Sequence, residues 1–296
     1  MSRSSRTIRM LQAYVREGDE ESYFRFVVDE KFIKYVTIAP DLYLPEDMYF
    51  EPALLPLLPA FPPGAWNVGH IGQDPKSNRP RFLWTAMEQL PAVQRVWHPM
   101  WVNYLDLKFS DKLRRGVFKV TSQYFLRSSS IDPVLFSTMD RPEDEQEEFE
   151  VVVKFARFPW EIKQIERETK IYQSIDGYPG LGPKFLGHCT ENDGVDENRV
   201  IGFFTEYLGD NARFAGIEDL SACESVLARL HNLGFVHGDV ERHNFVVGRN
   251  GQVTLVDFEF ARRENDPSVF MKETESLRNN FADESGRGGV GTGYMD

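Results

Sequence analysis

With 296 residues, 41% of them hydrophobic and 27% charged, the chain is neither collagen-like nor fully disordered, and its two cysteines exclude a disulfide-stapled scaffold. Its net charge of -12 argues against general nucleic-acid binding, which requires a basic surface. Because no apolar run is long enough to span a bilayer and the N-terminal segment lacks the apolar core of a secretory signal, we expect a cytoplasmic protein that does not bind membranes.

Residues 1–104 are predicted to form an extension that wraps the rest of the chain. Apolar residues at helical spacing predict an amphipathic helix within residues 1–40. These residues are Ile8, Leu11, Tyr14 and Val15. Residues 40–64 place many prolines among large apolar residues, which predicts an extended segment packed along a surface. Residues 65–104 are rich in tryptophan and loop formers, so we expect an irregular packed region there.

Residues 105–282 are predicted to form one α+β domain. Its predicted strands, rich in apolar and β-branched residues, are YLDLKFS, GVFKVTSQYFL, EVVVKFARF, KFLGHC and RVIGFFTEYL. The segment WEIKQIERETKIYQSI has apolar residues at helical spacing and precedes the breaker DGYPGLGP, so it is predicted to be a helix. The run of acidic residues at 140–150 is predicted to be a solvated loop.

The end of this domain combines a predicted helix, a loop and a pair of strands. Ser221 and Glu224 form a predicted capping box at the start of the helix, and Gly234 is placed to end it. The loop FVHGDVERHN follows, and the predicted strands NFVV and QVTLVDFEF are joined through Asn250-Gly251, a favoured hairpin turn. Residues 283–296 are rich in glycine and predicted to be a disordered tail.

Five polar residues in this domain are candidates for chemistry. They are Lys154, Glu168, Asp239, Asn244 and Asp257. A lysine on a buried strand can point into a cleft, and a glutamate on the next helix can pair with it. Carboxylate and amide oxygens on a neighbouring loop and strand can hold a divalent metal. A further carboxylate can accept the proton of an attacking hydroxyl group.

The segments FVHGDVERHNFVV and VTLVDFEFA resemble the protein kinase-like superfamily. The resemblance is nearer to the aminoglycoside and choline phosphotransferase branch, which has HGD where protein kinases have HRD. The whole chain resembles small fungal kinase-like proteins with a truncated C-terminal lobe. The resemblance implies an α+β, protein kinase-like fold with an antiparallel small-lobe sheet. A truncated helical second lobe would carry the catalytic loop hairpin.

The resemblance also implies catalytic and metal-binding roles. The implied catalytic residues are Asp239, Lys154 and Glu168. Asp239 would be the catalytic base and Lys154 would bind phosphate. The helix glutamate would hold that lysine, with Glu166 as the alternative on the same helix. Asn244 and Asp257 would ligate magnesium.

Nucleotide binding is implied for residues around the expected cleft. They are Lys154, Glu206, Tyr207, Leu208, Gly116 and Arg115. His237 would be a structural residue of the loop. The turn SDKLRRG is not a glycine-rich loop, so the charged side chains of Lys112, Arg114 and Arg115 would either replace its backbone N–H groups or block the site. Glu259 stands where protein kinases have the glycine of DFG.

We therefore expect an enzyme that uses ATP and magnesium to phosphorylate a hydroxyl or amine group of a small molecule. One alternative is a catalytically inactive pseudokinase that binds a protein partner. It is favoured by the missing glycine-rich loop, by Glu241 in place of a family lysine and by the short C-terminal part. Another is a kinase-like fold repurposed for nucleotidyl or aminoacyl transfer in fungal specialised metabolism.

Overall fold

The structure is a computed structural model that describes residues 6–122, 149–248 and 251–282. The glycine-rich tail, Asn250 and most of the acidic run lie outside these ranges. Within them the protein is an α+β fold with two large sheets, which confirms the predicted fold class at this level. No helix in these three ranges is both long and apolar enough to cross a membrane.

The N-terminal region contains a five-stranded sheet. Its strands are β1 (Ile8–Tyr14), β2 (Ser22–Val28), β3 (Phe32–Ile38), β4 (Val68–Gln73) and β5 (Pro80–Ala86), hydrogen-bonded in that order. All neighbours are antiparallel except β3 and β4, which pair in parallel. Two short helices, α1 (Pro45–Tyr49) and α2 (Glu51–Leu57), connect these two strands. Their buried residues Met48 and Leu54 belong to the core on one face of the sheet.

The prediction of a helix within residues 1–40 is wrong, because that segment forms β1, β2 and β3. The second and third strands are rich in aromatic and β-branched residues, which favour a pleated sheet. Asp29 and Glu30 turn the chain between them with φ angles of 54° and 51°. A register shift between Met10 and Gln12 interrupts the side-chain alternation of β1, so its sequence lacks the period of two that marks a strand.

Two further expectations for the N-terminal region need correction. The segment predicted to be extended contains α1 and α2, because Pro45 and Pro52 lie in the first turns of these helices, where a missing backbone N–H costs no hydrogen bond. Its predicted packing along a surface is confirmed by the burial of Leu54. The region predicted to be irregular contains β4, β5 and the short strand β6 (Trp101–Asn103).

The second sheet has six strands and carries most of the candidate site. Besides β6, its strands are β7 (Lys108–Arg114), β8 (Val117–Ser122), β9 (Phe149–Phe155), β10 (Phe185–Glu191) and β11 (Arg199–Glu206). The strand order is β6-β10-β11-β9-β8-β7, and only β6 and β10 are parallel. Helix α3 (Ile162–Ile175) connects β9 to β10.

The helix and the strands predicted from EVVVKFARF, KFLGHC and RVIGFFTEYL are confirmed. The strand predicted from YLDLKFS begins later, because Tyr104–Asp106 form a 3-10 turn. The strand predicted from GVFKVTSQYFL is confirmed up to Ser122, and its last four residues lie outside the described ranges.

The remaining elements form a smaller layer below this sheet. They are β12 (Arg213–Phe214), α4 (Leu220–Asn232), β13 (Phe235–Val236), β14 (Phe245–Val247), β15 (Val253–Leu255), β16 (Arg262–Arg263) and α5 (Pro267–Ala282). The predicted strand pair is confirmed as β14 and β15. The predicted capping box is wrong because Ser221 lies inside α4. A 3-10 turn, whose Asp219 carboxylate accepts the Gly216 N–H, leads into the helix instead.

A buried ionic network joins the two large sheets. Arg25 of β2 and Tyr35 of β3 lie on the face opposite the short helices and meet the carboxylate of Glu191 on β10. The Tyr35 hydroxyl donates to Glu191 over 2.9 Å, and Arg199 of β11 donates to the same carboxylate. The side chains of the three charged residues are at most 1% exposed. The sheets are therefore held in one relative position by a charge cluster that water does not reach.

Candidate functional site

Lys154 lies on β9 with its ammonium group among three carboxylates. It forms an ion pair with Glu168 of α3, and its Nζ lies 2.6 Å from Asp257 Oδ1 and 3.8 Å from Glu259 Oε2. Glu168 reaches this position because it shares the inward face of α3 with the buried Ile165. A single lysine thus connects the sheet, the helix and the segment that follows β15.

The two glutamates considered on α3 have separate functions. Glu168 is the partner of Lys154, as the resemblance implied. Glu166 instead accepts the backbone N–H groups of Gln94 and Arg95 over 2.6 and 3.1 Å. It therefore fixes the segment that precedes β6 against the helix and takes no part in the lysine cluster.

Burial and charge act in opposite directions on these groups. Burial raises the pKa of Glu168 to about 7, although the Lys154 ammonium acts to lower it. Burial alone would lower the pKa of Lys154, but Glu168 and Asp257 hold it above its ordinary value. Burial would likewise raise the pKa of Asp257, but Lys154 and then Arg114 hold it below its ordinary value. Lys154 and Asp257 are therefore both charged at neutral pH.

The loop between β13 and β14 brings Asp239 and Asn244 to the same place. The Asn244 amide donates to Asp239 Oδ2 over 2.8 Å and to the Asp239 carbonyl over 3.0 Å. Its Oδ1 accepts from Arg114, whose Nη1 lies 3.1 Å from that oxygen and 3.2 Å from Asp257 Oδ2. The five residues singled out in the sequence therefore form one connected network, with Arg114 as an additional member.

The buried His237 ring and the backbone conformation of Asp257 position the acidic groups of this network. The His237 ring is fully buried, and its Nε2 lies 3.1 Å from the Val256 carbonyl. Burial lowers the pKa of His237, so the ring is neutral and ties the loop to the segment before Asp257, as a structural residue would. Asp257 has φ 68° and ψ 66°, a left-handed conformation uncommon for residues other than glycine. This conformation turns its carboxylate towards Lys154 and Arg114.

A cavity of about 440 Å³ opens beside Lys154, a volume usual for small-molecule sites. Glu206, Tyr207 and Leu208 line one edge, where β11 ends. Aliphatic side chains from the second sheet and from the layer below it form opposite walls; these are Val117, Val152, Val246 and Val256. The lining of the cavity thus combines aliphatic side chains with charged ones, among them Lys154, Arg114 and Asp257.

Gly116 and Arg115 do not line this cavity. They border a neighbouring one of about 450 Å³, which shares Lys154 and Arg114 with the first. Arg115 lies 3.8 Å from Glu161, and Gly116 adopts a φ of 69° at the tip of the β7–β8 hairpin. The turn predicted from SDKLRRG is shorter than expected, because residues 110–114 belong to β7. Of the residues in this segment, the structure brings Arg114, rather than Arg115 or Gly116, to the ionic network.

The oxygen donors of Asn244 and Asp257 have the right chemistry for a divalent cation. In this arrangement, however, Arg114 binds the Asn244 oxygen and one Asp257 oxygen, and Lys154 binds the other. The three carboxylates of Glu168, Asp257 and Glu259 also lie close together, but around the Lys154 ammonium. The side chains as placed fit two organic cations and do not fit a metal ion. The magnesium expectation stays a prediction.

Glu273 of α5 is a site residue that the sequence did not reveal. Its carboxylate accepts the backbone N–H of His237 over 3.1 Å and that of Gly238 over 2.6 Å. It also lies 2.7 Å from His231 Nε2 at the end of α4. An acidic residue in an amphipathic helix gives no sign in the sequence of such a contact. Glu273 fixes the loop that carries Asp239.

Replacing Glu273 with glutamine should destabilise the protein by about 1–3 kcal/mol at pH 7, because hydrogen bonds to a charged acceptor are lost. Burial would raise the pKa of Glu273, but its hydrogen bonds to His231 and the loop N–H groups hold it below 4.5. The wild type therefore loses this stabilisation as the pH falls through that lowered value. Urea unfolding at pH 7 and pH 3 should show the two proteins converging in acid. If the unfolding free energies of the two proteins differed equally at pH 7 and at pH 3, this role of Glu273 would be contradicted.

No model of a known protein family matches this chain, and neither does any curated protein. The resemblance to the kinase-like superfamily accordingly stays a prediction from the motifs.

Proposed function

We propose that this chain is a kinase-like phosphotransferase that binds ATP and transfers its terminal phosphoryl group to a hydroxyl group of a small molecule. The observation that carries the proposal is the position of Lys154, which joins Glu168 of α3 to Asp257 beside a cavity of about 440 Å³. The motifs that resemble the aminoglycoside and choline phosphotransferase branch supply most of these residues.

The lining of the cavity can accommodate both the flat base and the anionic phosphates of a nucleotide. Its aliphatic walls can enclose a flat base, and the chain at Tyr207 and Leu208 forms one edge of the cavity. Lys154 and Arg114 also line the cavity, where anionic phosphates would meet positive charge. Glu206 at the end of β11 and the next two residues are the ones that we propose to contact the base.

Asp239 is the residue proposed to move a proton. Its carboxylate is held by Asn244 over 2.8 Å and is only partly buried, so an acceptor molecule can approach it. As the acceptor oxygen bonds to the terminal phosphorus, the bond from that phosphorus to the bridging oxygen breaks and ADP leaves. The proton of the acceptor hydroxyl passes to Asp239.

Replacing Asp239 with asparagine should lower phosphoryl transfer by about a hundredfold or more, the usual contribution of a general base. ATP affinity should change little because Asp239 does not line the cavity. Transfer of labelled phosphate from ATP to a panel of hydroxyl-bearing small molecules measures the rate of phosphoryl transfer. Calorimetry measures the affinity for ATP. Asp176→Asn, an exposed carboxylate at the end of α3, is the matched control. Unchanged transfer in the Asp239 variant would contradict the proposal.

A second candidate is a pseudokinase that binds nucleotide without turnover. Arg114 favours it, because its guanidinium holds the oxygens of Asn244 and Asp257. This candidate predicts that the wild type binds ATP but labels no acceptor in the panel. Nucleotidyl and aminoacyl transfer stay predictions, which mass spectrometry of the product distinguishes from phosphorylation. The cytoplasmic location also stays a prediction.

A further inference from the structure

We infer that the guanidinium of Arg114 takes the place of a divalent cation in this site, so that nucleotide phosphates bind here without a metal. The inference rests on the proposed function, since it concerns how the same cavity holds the phosphates of its ligand. It assigns to a residue of the β7–β8 hairpin the charge that a metal would otherwise supply.

The contacts of Arg114 are those expected of a bound cation. Its Nη1 is shared between Asn244 Oδ1, at 3.1 Å, and Asp257 Oδ2, at 3.2 Å, and its other amino group donates to the His243 carbonyl. All three partners are oxygens, and two of them belong to the residues that would ligate a metal. The guanidinium also lies 5.6 Å from the ring of Phe214, which covers it on one side.

The geometry of the hairpin that carries Arg114 explains why its side chain reaches Asn244 and Asp257. The pairing of β7 with β8 shifts register between Lys112 and Arg114, and such bulges redirect a side chain. Beyond it, Gly116 turns the chain, and its carbonyl accepts the Phe155 N–H over 3.0 Å. The hairpin tip is thereby anchored to β9, close to the residue from which Arg114 contacts Asp257.

Two cations, Arg114 and Lys154, lie here among the carboxylates of Asp257, Glu168 and Glu259, and both cations contact Asp257. Arg114 and Lys154 together neutralise Asp257, so an approaching phosphate does not meet an unpaired carboxylate there. A guanidinium has five N–H donors, and the contacts above use three of them, which leaves about two for phosphate oxygens. A guanidinium also matches phosphate geometry in a way that a compact ammonium does not.

Two measurements on the full chain test the inference. Calorimetry with ATP is carried out in EDTA and in excess magnesium, and binding of Mn²⁺ alone is followed by electron paramagnetic resonance. Wild-type affinity for ATP should differ by less than about threefold between the two buffers, and Mn²⁺ should not bind at Asp257. Arg114→Gln should lose about tenfold or more of its affinity in EDTA, recover part of it with magnesium, and gain a Mn²⁺ site. Arg81→Gln, an exposed arginine of β5, should behave as the wild type.

The possible outcomes separate the inference from the proposed function. If the wild type binds ATP only with magnesium, or if Arg114→Gln binds ATP more tightly in EDTA, the inference is wrong and Arg114 blocks the site. If the wild type binds no ATP in either buffer, the proposed function fails and the inference fails with it. The wild-type comparison decides the matter even if the variant does not fold.

Discussion

Replacing Glu191 with alanine should cost about 3–5 kcal/mol of folding stability, the largest effect that we expect from one substitution in this protein. The change leaves Arg25 and Arg199 buried without their shared carboxylate, and neither can reach water. Most of the lost stability comes from the unpaired charge of Arg25, because Arg199 keeps a second carboxylate, that of Asp193, at 3.4 Å. Urea unfolding followed by tryptophan fluorescence measures the loss.

A double substitution provides the matched control for this prediction. Replacing Glu191 with leucine and Arg25 with methionine removes a buried carboxylate and a buried guanidinium together, so no charge is left unpaired on β2. Exchanges of buried ion pairs for apolar residues of similar volume are often nearly neutral. The double variant should therefore recover most of the stability lost by Glu191→Ala. A loss below about 1 kcal/mol in the single variant would show that the network does not hold the sheets together.

Replacing Lys154 with methionine should lower ATP affinity by about tenfold or more and make stability strongly dependent on pH. The first effect follows because Lys154 lines the cavity and is the ammonium group proposed to meet the phosphates. The second follows because Glu168, which is 1% exposed, loses the ammonium that partly offsets its burial. Its pKa should then rise further above 7.

The sign of the pH effect follows from proton binding. Between the unfolded pKa of 4.5 and the raised folded pKa, only the unfolded state has released the proton of Glu168, so stability falls as the pH rises. Each pH unit in that window lowers stability by about 1.4 kcal/mol. In the wild type the window ends at about 7, whereas in Lys154→Met it extends to higher pH.

Unfolding of both proteins at pH 5, 7 and 8.5 checks this difference. The variant should lose stability continuously across the range, and the wild type should level off at the upper end. The double variant Lys154→Met with Glu168→Gln has no carboxylate at position 168 to titrate, so its stability should vary less with pH than that of the single variant. If the stabilities of the wild type and Lys154→Met changed with pH in the same way, Lys154 would have no effect on the pKa of Glu168.

The parts of the molecule that the sequence predicted correctly are those with strong local patterns. Helix α3 shows a clear apolar stripe, and β9 is a run of valines flanked by polar segments. The loop from His237 to Asn244 and the position of Asp257 were recognisable because their order and spacing are short-range properties. These local signals were enough to place Lys154, Asp239 and Asn244 in one site.

The central strands of the first sheet, β2 and β3, could not be predicted because both of their faces are buried. In β2, Phe24 and Phe26 face the short helices while Arg25 and Val27 face the second sheet, so no alternation between apolar and polar residues marks the strand. A charged residue within an apolar run suggests a surface position. Its ionic partner Glu191 lies far away in the sequence, so the local pattern does not show that Arg25 is buried.

The contacts of Arg114 and Glu273 also depend on distant partners. The bulge that directs Arg114 downwards is a property of how β7 pairs with β8 and is invisible in the turn SDKLRRG. Glu273 lies in a helix of ordinary composition, and its function comes from the packing of α5 beside the loop of His237. Local sequence patterns do not encode either contact.

The separation between Arg25 and Glu191 has a consequence for the growing chain on the ribosome. The two residues are 166 positions apart. At about 5–20 residues per second, synthesis of the intervening segment takes roughly 10–30 s. During that interval the first sheet can form its own hydrogen bonds, but the face that carries Arg25 stays hydrated. Docking of the two sheets is therefore a late step of biogenesis, and the nascent chain exposes this face until Glu191 has emerged.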